Sequence, residues 1–303
     1  MALFFEEADH HPGQACTPHI GPYPARRRPA SAKTRRISLA LQGGGAFGAF
    51  TWGVLDRLLE DGSTTFDAVS GASAGAMNAV LLASGLPRGG PQEARASLDR
   101  FWRKVSKVGR KSTFAPPDAI LSAMTQSLSP YQFNPLDLNP LRDILAEEVD
   151  LEVVRSRTSV RLLLGATRVR DGALRIFRNK DISYDVVLAS ACLPHLHHAV
   201  AIDGEPHWDG GYAANPPLMP LISASRTSDV LLVQIIPSQH HQLPKTTSEI
   251  DQRLSQITFN TSLHRDLEAL SAMLALCRGS SSQSTSLGRK LLRLRLSRVA
   301  GSG

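Results

Sequence analysis

The chain has 303 residues, of which 42% are hydrophobic, and its formal net charge is +7 at pH 7. Its length and apolar content are sufficient for one substantial core, while three widely spaced cysteines do not indicate a disulfide framework. No stretch reaches the roughly 18 consecutive apolar residues that a membrane-spanning helix needs. We therefore expect a cytoplasmic protein, with peripheral membrane contact and secretion without a cleaved signal both left open.

Residues 1–35 are predicted to form a disordered basic arm. Prolines and a run of arginines at 26–28 occur there without any apolar periodicity. The opening residues become acidic at Glu6 before an apolar segment of signal-peptide length can develop. Residues 36–303 are accordingly expected to form one folded domain.

A glycine-rich loop follows the first predicted strand, which covers residues 36–41, and precedes an amphipathic helix over residues 49–60. The loop contains Gly43, Gly44, Gly45 and Gly48. Consecutive residues without side chains let several backbone N–H groups converge on one oxygen atom, as an oxyanion hole requires. A tight strand-to-helix turn without chemistry is the simpler alternative.

The same loop matches the G-x-G-x-x-G fingerprint of dinucleotide-binding sites, and Asp67 follows about 20 residues later, as the ribose ligand should. In that motif the acidic residue belongs at the far end of the second strand. Asp67 instead lies near the start of its predicted strand, and the far end carries a different motif. The spacing therefore favours a hydrolase over a nucleotide-binding protein, and no cofactor is predicted.

A serine lies in a sharp turn after the second predicted strand, residues 65–70. The pentapeptide G-x-S-x-G places Ser73 between Gly71 and Gly75. A nucleophile elbow has this pattern, because its strand turns too sharply for bulky neighbours before a helix begins. The amides and dipole at the start of the small-residue helix over residues 74–82 would favour negative charge beside the serine. Ser73 is therefore the predicted nucleophile.

Strand-like and helix-like segments alternate through the middle of the chain, which predicts an α/β fold. Asp171-Gly172 is a hairpin turn between two strands, residues 161–170 and 173–178. Residues 230–236 form a buried strand by composition.

A long helix is predicted to begin at the capping box Thr246-x-x-Glu249. An apolar stripe along this helix is expected to pack on the core. The residues of the stripe are Ile250, Leu254, Ile257, Leu267, Leu270 and Leu274.

The sequence Asp209-Gly210-Gly211 lies downstream of the glycine loop and the serine elbow. On its own, an Asp-Gly pair is an ordinary hairpin turn. Together, however, the G-G-G-x-x-G loop, the G-x-S-x-G elbow and the D-G-G sequence resemble the patatin-like phospholipase family in identity, order and approximate spacing. The resemblance extends from about Ile37 to the end of the chain.

This resemblance implies a three-layer α/β sandwich with a mostly parallel central sheet, in which residues 36–303 are the catalytic domain. It also implies a serine acyl hydrolase, such as a phospholipase A, a lysophospholipase or a lipid esterase. Ser73 and Asp209 would form its dyad and an acyl-enzyme its intermediate. The oxyanion would be held by the amides of Gly43, Gly44 and Gly45. The glycines that would support the motifs are Gly48, Gly71, Gly75, Gly210 and Gly211.

One position departs from the family pattern. The residue before the last glycine of the loop is usually Arg or Lys, or often His in bacterial members, and here it is Phe47. Phenylalanine cannot meet a phosphate as a cation or an imidazole can. A non-catalytic lipid-binding relative is therefore kept as an alternative.

The dyad requires a carboxylate that works as a base, and an ordinary Asp has a pKa of only about 3.9. We therefore predict that Asp209 is partly buried and that desolvation raises its pKa. A Ser-His-Asp esterase is the second alternative, with His240, His241 or His264 as the base. Only one helix and one strand separate the glycine loop from the elbow, and this short interval favours the dyad. His264 is expected on a helix surface.

Three clustered histidines, His195, His197 and His198, are expected to flank the groove beside Asp209. A metal is not predicted, because no carboxylate or cysteine lies at a supporting spacing. Nucleic-acid binding is not predicted either, since aromatic and zinc-type recognition motifs are missing. The expected partner is a lipid or acyl-ester substrate, and the basic charge favours a salt-sensitive contact with anionic membranes.

Overall fold

The computed structural model describes residues 34–111, 128–240, 242–279, 291 and 293–301. Residues 1–33 of the predicted arm lie outside the described residues, and so does His241. Arg35, which the sequence analysis assigned to the arm, instead begins the first strand. Its Nε donates to Oδ2 of Asp229 at 2.8 Å, so the folded part starts slightly earlier than predicted.

A mixed sheet of eight strands lies at the centre of the described part of the chain. The strands are β1 (Arg35–Leu41), β2 (Thr64–Gly71), β3 (Arg161–Arg168), β4 (Leu174–Arg178), β5 (Val200–Ile202), β6 (Glu205–Asp209), β7 (Asp229–Gln234) and β8 (Arg295–Ala300). Hydrogen-bonded neighbours follow the path β5-β6-β3-β2-β1-β7-β8 in order, and β4 also pairs with β3. The strands from β3 to β8 in this order are parallel, whereas β4 and β6 run antiparallel to β3.

Helices connect most of these strands. They are α1 (Gly48–Asp61), α2 (Ala74–Lys111), α3 (Pro130–Phe133), α4 (Pro140–Glu148), α5 (Leu151–Ser156), α6 (Tyr184–Ser190), α7 (Leu218–Ala224) and α8 (Thr247–Gly279). Helix α2 consists of two helical segments, because the backbone at Gly89 and Gly90 is not helical. In the described part of the chain, no helix is both long and apolar enough to cross a membrane.

Side chains from successive strand residues enter two different cores, as the period of two in a strand requires. Leu39 and Leu41 of β1 belong to a core with α1 and α2, while Ala40 faces a second core with α7 and α8. On β2, Val69 belongs to the first of these cores and Ala68 to the second. Helices therefore cover both faces of the sheet, and the predicted three-layer α/β sandwich is confirmed.

The capping box of α8 is present: the Glu249 N–H donates to Oγ1 of Thr246 at 3.2 Å, and the Thr246 N–H donates to the Glu249 carboxylate at 3.0 Å. The predicted apolar stripe is wrong in its first half. Ile250, Leu254 and Ile257 are 43%, 56% and 47% exposed, whereas Leu270 and the half-buried stripe residues Leu267 and Leu274 face the core. At about 100° per residue, the centres of the two groups lie about 130° apart around the helix, so the groups face different sides.

Candidate active site

Ser73 and Asp209 meet because two strands approach each other along one edge of β3. Leu163 and Leu164 pair with both β2 and β4, so these two strands lie on opposite edges of β3. Ala166 pairs with β4 and also with Asp209 of β6, which places β6 on the same edge as β2. Because β2 is parallel and β6 antiparallel to β3, their carboxyl ends face each other at this point.

Ser73 occupies the sharp turn between β2 and α2 that the pentapeptide predicts. Its φ is +54°, a left-handed conformation that non-glycine residues rarely adopt and that is typical of strained functional positions. Its N–H donates to the carbonyl oxygen of Ser190 at 2.9 Å and to the Ser190 hydroxyl at 3.1 Å. The Ser190 hydroxyl in turn donates to the Gly165 carbonyl oxygen at 2.6 Å. Residues from α6 and β3 thus hold the serine turn.

Asp209 is fully buried at the end of β6. Its Oδ1 accepts the Gly211 N–H at 2.7 Å, and its own N–H donates to the Cys192 carbonyl oxygen at 2.8 Å. Oδ2 is buried and accepts no hydrogen bond of standard geometry from the part of the chain that the structure describes.

Burial raises the pKa of Asp209 to about 7, although the Gly211 N–H and the neighbouring Ser73 hydroxyl act in the opposite direction. The predicted rise of the pKa by desolvation is confirmed, and burial is complete rather than partial. A carboxylate with this pKa can take up and release a proton near neutral pH.

The glycine loop lies directly over the serine. A Cβ atom at Gly43 would come within 2.6 Å of the Ser73 Cβ, so no side chain fits there. The Gly43 N–H is already used, since it donates to Oδ1 of Asn215 at 2.7 Å. The N–H groups of Gly44 and Gly45 have no acceptor among the described residues, and both residues line the cavity that contains Ser73. The expectation of three available amides is therefore corrected to two.

Asn215 holds the glycine loop and is not among the residues predicted from the sequence. Its Nδ2 donates to the carbonyl oxygens of Gly43 at 3.0 Å and Phe259 at 3.2 Å. Its backbone N–H donates to the Ser262 hydroxyl at 3.0 Å. The sequence around Asn215 gives one local signal for its role, the position directly before Pro216 and Pro217. The residues that it bonds lie far away in the sequence.

A second buried amide, Gln42, ties the start of the same loop to the end of β7. Its Oε1 accepts the N–H groups of Ile235 at 2.8 Å and Ile236 at 2.9 Å. Its Nε2 donates to Oδ1 of Asn260 on α8 at 2.8 Å. The loop therefore has fixed partners on both sides, which limits its movement over Ser73.

The remaining predicted glycines lie where the turns are tightest. Gly48 begins α1, and Gly71 ends β2. Gly75 is in the first turn of α2, where a side chain would collide with the Leu41 carbonyl oxygen. Gly210 and Gly211 form a 3-10 turn directly after Asp209.

Ser73 and Asp209 open into an apolar pocket of about 300 Å³. Its hydrophobic walls are formed by Leu193, Ile235, Ile236, Pro237 and Phe259, and Phe47 lies at its mouth with 66% of its surface exposed. Such a pocket suits an acyl chain better than a polar substrate.

The histidines do not line this pocket. His197 and His198 instead line a separate polar pocket with Asp137 and Arg142, and His195 is exposed, so none of the three lines the groove beside Asp209. The His198 ring stacks on Tyr131 at 4.1 Å between centroids. Among the described residues, no group of three or more His, Cys, Asp or Glu side chains is placed to hold a metal.

The candidate bases and the candidate nucleotide ligand also lie elsewhere. His264 is exposed on α8, as predicted, and His240 is an exposed residue of an adjoining groove. Asp67 is buried within β2, forms an ion pair with Arg161 and accepts the Arg226 N–H at 2.6 Å. These contacts occupy the Asp67 carboxylate within the fold.

Comparisons with known proteins agree with this architecture. The family model for the patatin-like phospholipases matches residues 39–222. The chain is 27% identical over 230 residues to the uncharacterized protein YjjU of Escherichia coli, which covers 72% of this chain. The match includes 57% of the relative, so the chain spans little more than half of that protein's length.

Two solved structures are similar to the chain at low sequence identity. VipD from Legionella pneumophila is 18% identical with a TM-score of 0.43, covering 82% of this chain and 56% of VipD. The heterodimeric ExoU–SpcU complex from the type III secretion system of Pseudomonas aeruginosa gives 17% identity and a TM-score of 0.37, covering 86% of this chain and 58% of that one. Because the family model spans more than half of the sequence, the chain belongs to the patatin-like phospholipase family.

Proposed function

We propose that this chain is a serine acyl hydrolase that cleaves fatty-acyl esters of lipids, with the unit that begins at Thr34 as its catalytic domain. The observation that carries the proposal is the Ser73 hydroxyl beside the buried Asp209 carboxylate, whose pKa is about 7. The apolar pocket and the N–H groups of Gly44 and Gly45, which have no acceptor among the described residues, support it. Membership of the family adds independent support.

In the proposed reaction, Asp209 takes the hydroxyl proton through Oδ2, the carboxylate oxygen that has no other partner. The Ser73 oxygen then attacks the ester carbonyl carbon, and the negative charge that develops on the carbonyl oxygen is stabilised by the Gly44 and Gly45 amides. Each such donor can contribute about 3 kcal/mol of transition-state stabilisation. The alcohol leaves with the proton from Asp209.

Deacylation uses the same groups, with a water molecule in place of the serine as the nucleophile. Asp209 takes a proton from a water molecule, and the resulting hydroxide attacks the acyl-serine carbonyl carbon. The tetrahedral intermediate collapses, the acid is released, and Ser73 regains its proton from Asp209. No imidazole is required in this scheme, so His264 has no role in it.

The test is hydrolysis of a chromogenic long-chain acyl ester by the wild type and three variants. Ser73→Ala and Asp209→Asn are expected to lose at least about 1,000-fold in kcat/KM, whereas His264→Ala retains activity. Loss of activity in His264→Ala would support a Ser-His-Asp esterase instead. A folded wild type that binds lipid vesicles but hydrolyses no ester would support a non-catalytic lipid-binding protein.

We further propose that the protein acts in the cytoplasm and contacts anionic membranes through its net charge of +7. Such an attraction is screened by salt, because the Debye length falls from about 10 Å at 0.1 M to about 3 Å at 1 M. Sedimentation with phosphatidylglycerol vesicles should therefore decrease as the salt concentration rises. Binding that salt leaves unchanged would contradict an electrostatic contact.

A further inference from the structure

A second groove of about 700 Å³ adjoins the catalytic pocket and shares part of its lining. The residues that line both cavities are Phe47, Ile235, Pro237, Gln252 and Gln256. An ester with its carbonyl carbon at Ser73 therefore has space on two sides of Phe47. One side is the apolar pocket, and the other is a wider groove that can hold the alcohol part of the substrate.

Neutral amide side chains form a large part of the groove's lining, beside apolar residues such as Phe50 and Ile235. Four glutamine side chains line it, namely Gln239, Gln242, Gln252 and Gln256. A glutamine amide both donates and accepts hydrogen bonds, which suits the free hydroxyl groups of an uncharged alcohol.

The described residues that line the two cavities carry little positive charge, although the chain as a whole is basic. Among the described residues that line them, none is a lysine or an arginine, and His240 is the one basic side chain. Arg253 donates to Oε1 of Gln256 at 3.2 Å, but it does not line either cavity. The acidic group that faces the substrate is Asp209.

A phosphodiester next to the cleaved ester would meet an unfavourable environment here. Its negative charge would lose part of its hydration without gaining a cation, and it would lie near the Asp209 carboxylate, which must be ionised to act as the base. An uncharged glycerol group has no charge to desolvate and is not repelled by the Asp209 carboxylate. The glutamine amides can also replace the hydrogen bonds to water that its hydroxyl groups lose.

We infer that the site prefers acyl esters of uncharged alcohols, such as monoacylglycerols, over phospholipids with the same acyl chain. This inference rests on the proposed hydrolase function. The reaction consumes one water molecule and releases a fatty acid and glycerol. Phe47, at the junction of the two cavities, is the residue that determines this selectivity.

The experiment compares 1-oleoylglycerol with 1-oleoyl-lysophosphatidylglycerol, each in the same nonionic detergent micelles. For the wild type, kcat/KM is expected to be at least about tenfold higher for the glyceride. Phe47→Arg places a cation at the junction and should reduce this ratio by roughly tenfold. Phe47→Leu is the matched control, because it changes size without adding charge and should preserve the ratio.

Equal or faster hydrolysis of the lysophospholipid by the wild type would overturn the inference while leaving the hydrolase function intact. An unchanged ratio in Phe47→Arg would overturn the assignment of selectivity to Phe47. Because Phe47 is largely exposed, this variant should fold, which thermal unfolding checks. A wild type that hydrolyses neither lipid nor a chromogenic ester would overturn the proposed function itself.

Discussion

The Asn215 side chain pairs with the backbone of Gly43 in both directions. Its Oδ1 accepts the Gly43 N–H at 2.7 Å, and its Nδ2 donates to the Gly43 carbonyl oxygen at 3.0 Å. Both bonds are buried, so they fix the orientation of the peptide that precedes Gly44 and Gly45. The two free amides are therefore positioned by a residue that does not line the pocket.

Replacing Asn215 should consequently reduce kcat more than it weakens substrate binding. Asn215→Ala is expected to reduce kcat by about 10- to 100-fold, since misplaced oxyanion donors stabilise the transition state less. Unfolding free energy should fall by about 1–3 kcal/mol because the Gly43 N–H becomes an unpaired buried group. Steady-state kinetics and urea denaturation measure the two effects.

Ser262→Ala is the control for this variant. It removes the hydroxyl that accepts the Asn215 backbone N–H but leaves both bonds to Gly43 in place. We expect lower stability with little change in kcat. If both variants lowered kcat equally, Asn215 would act through general stability and not through the loop.

The buried Asp209 predicts activity that increases with pH. Only the ionised carboxylate can take the serine proton, and burial raises the pKa of Asp209 to about 7. With an uncharged ester, log kcat/KM should rise with unit slope below this pH and become level about one pH unit above it. A profile measured from pH 5 to 9 that is already level at the acid end would contradict Asp209 as the base.

Stability should change with pH in the opposite direction. The pKa of Asp209 in the folded state, about 7, is above its ordinary value of 3.8, so the folded state binds this proton more tightly than the unfolded state does. The stabilisation is complete below about pH 4 and is lost as the pH rises to about 7. This difference in pKa corresponds to on the order of 4 kcal/mol.

Asp209→Asn isolates this effect, because asparagine has nearly the same shape and does not ionise. The unfolding free energy of the variant minus that of the wild type should increase from pH 4 to pH 8 by several kcal/mol. Chemical denaturation at both pH values measures it. A difference that stays constant or decreases would mean that Asp209 is ionised in the folded state throughout this range.

Two glycine substitutions should differ in their effect on activity. In Gly43→Ala, the new Cβ would be 2.6 Å from the Ser73 Cβ and 2.5 Å from the Ala72 carbonyl oxygen. We expect kcat/KM to fall at least about 100-fold, because the serine or the loop must move. Gly53→Ala places a Cβ in open space on α1 and should raise stability by about 0.5–1 kcal/mol without changing activity. Equal activity of both variants would show that the close approach at Gly43 has no catalytic importance.

Local signals in the sequence predicted much of the framework. The turn at Ser73, the hairpin at Asp171-Gly172 and the capping box at Thr246 each depend on residues a few positions apart. Such short-range patterns determine backbone conformation directly, so the elements around them lie where they are expected. The resemblance to a family added the relation between Ser73 and Asp209, which lie far apart in the sequence.

Features that depend on distant contacts were not predictable in this way. The bond between Asn215 and Gly43 joins residues separated by 172 positions, and nothing near either residue indicates it. The use of the Gly43 N–H by this bond also could not be read from the glycine run. Periodicity identified Ile250 and Leu254 as apolar positions on a helix. It does not show which face of that helix packs against another element.

The dyad is tested most directly by trapping the nucleophile. The wild type and Ser73→Ala would be treated with a fluorophosphonate probe, and the modified peptide would be identified by mass spectrometry. We expect one adduct, on Ser73, with slower labelling in Asp209→Asn and none in Ser73→Ala. Stoichiometric labelling of another serine, or no labelling of a folded wild type that hydrolyses esters, would contradict the claim that Ser73 is the nucleophile.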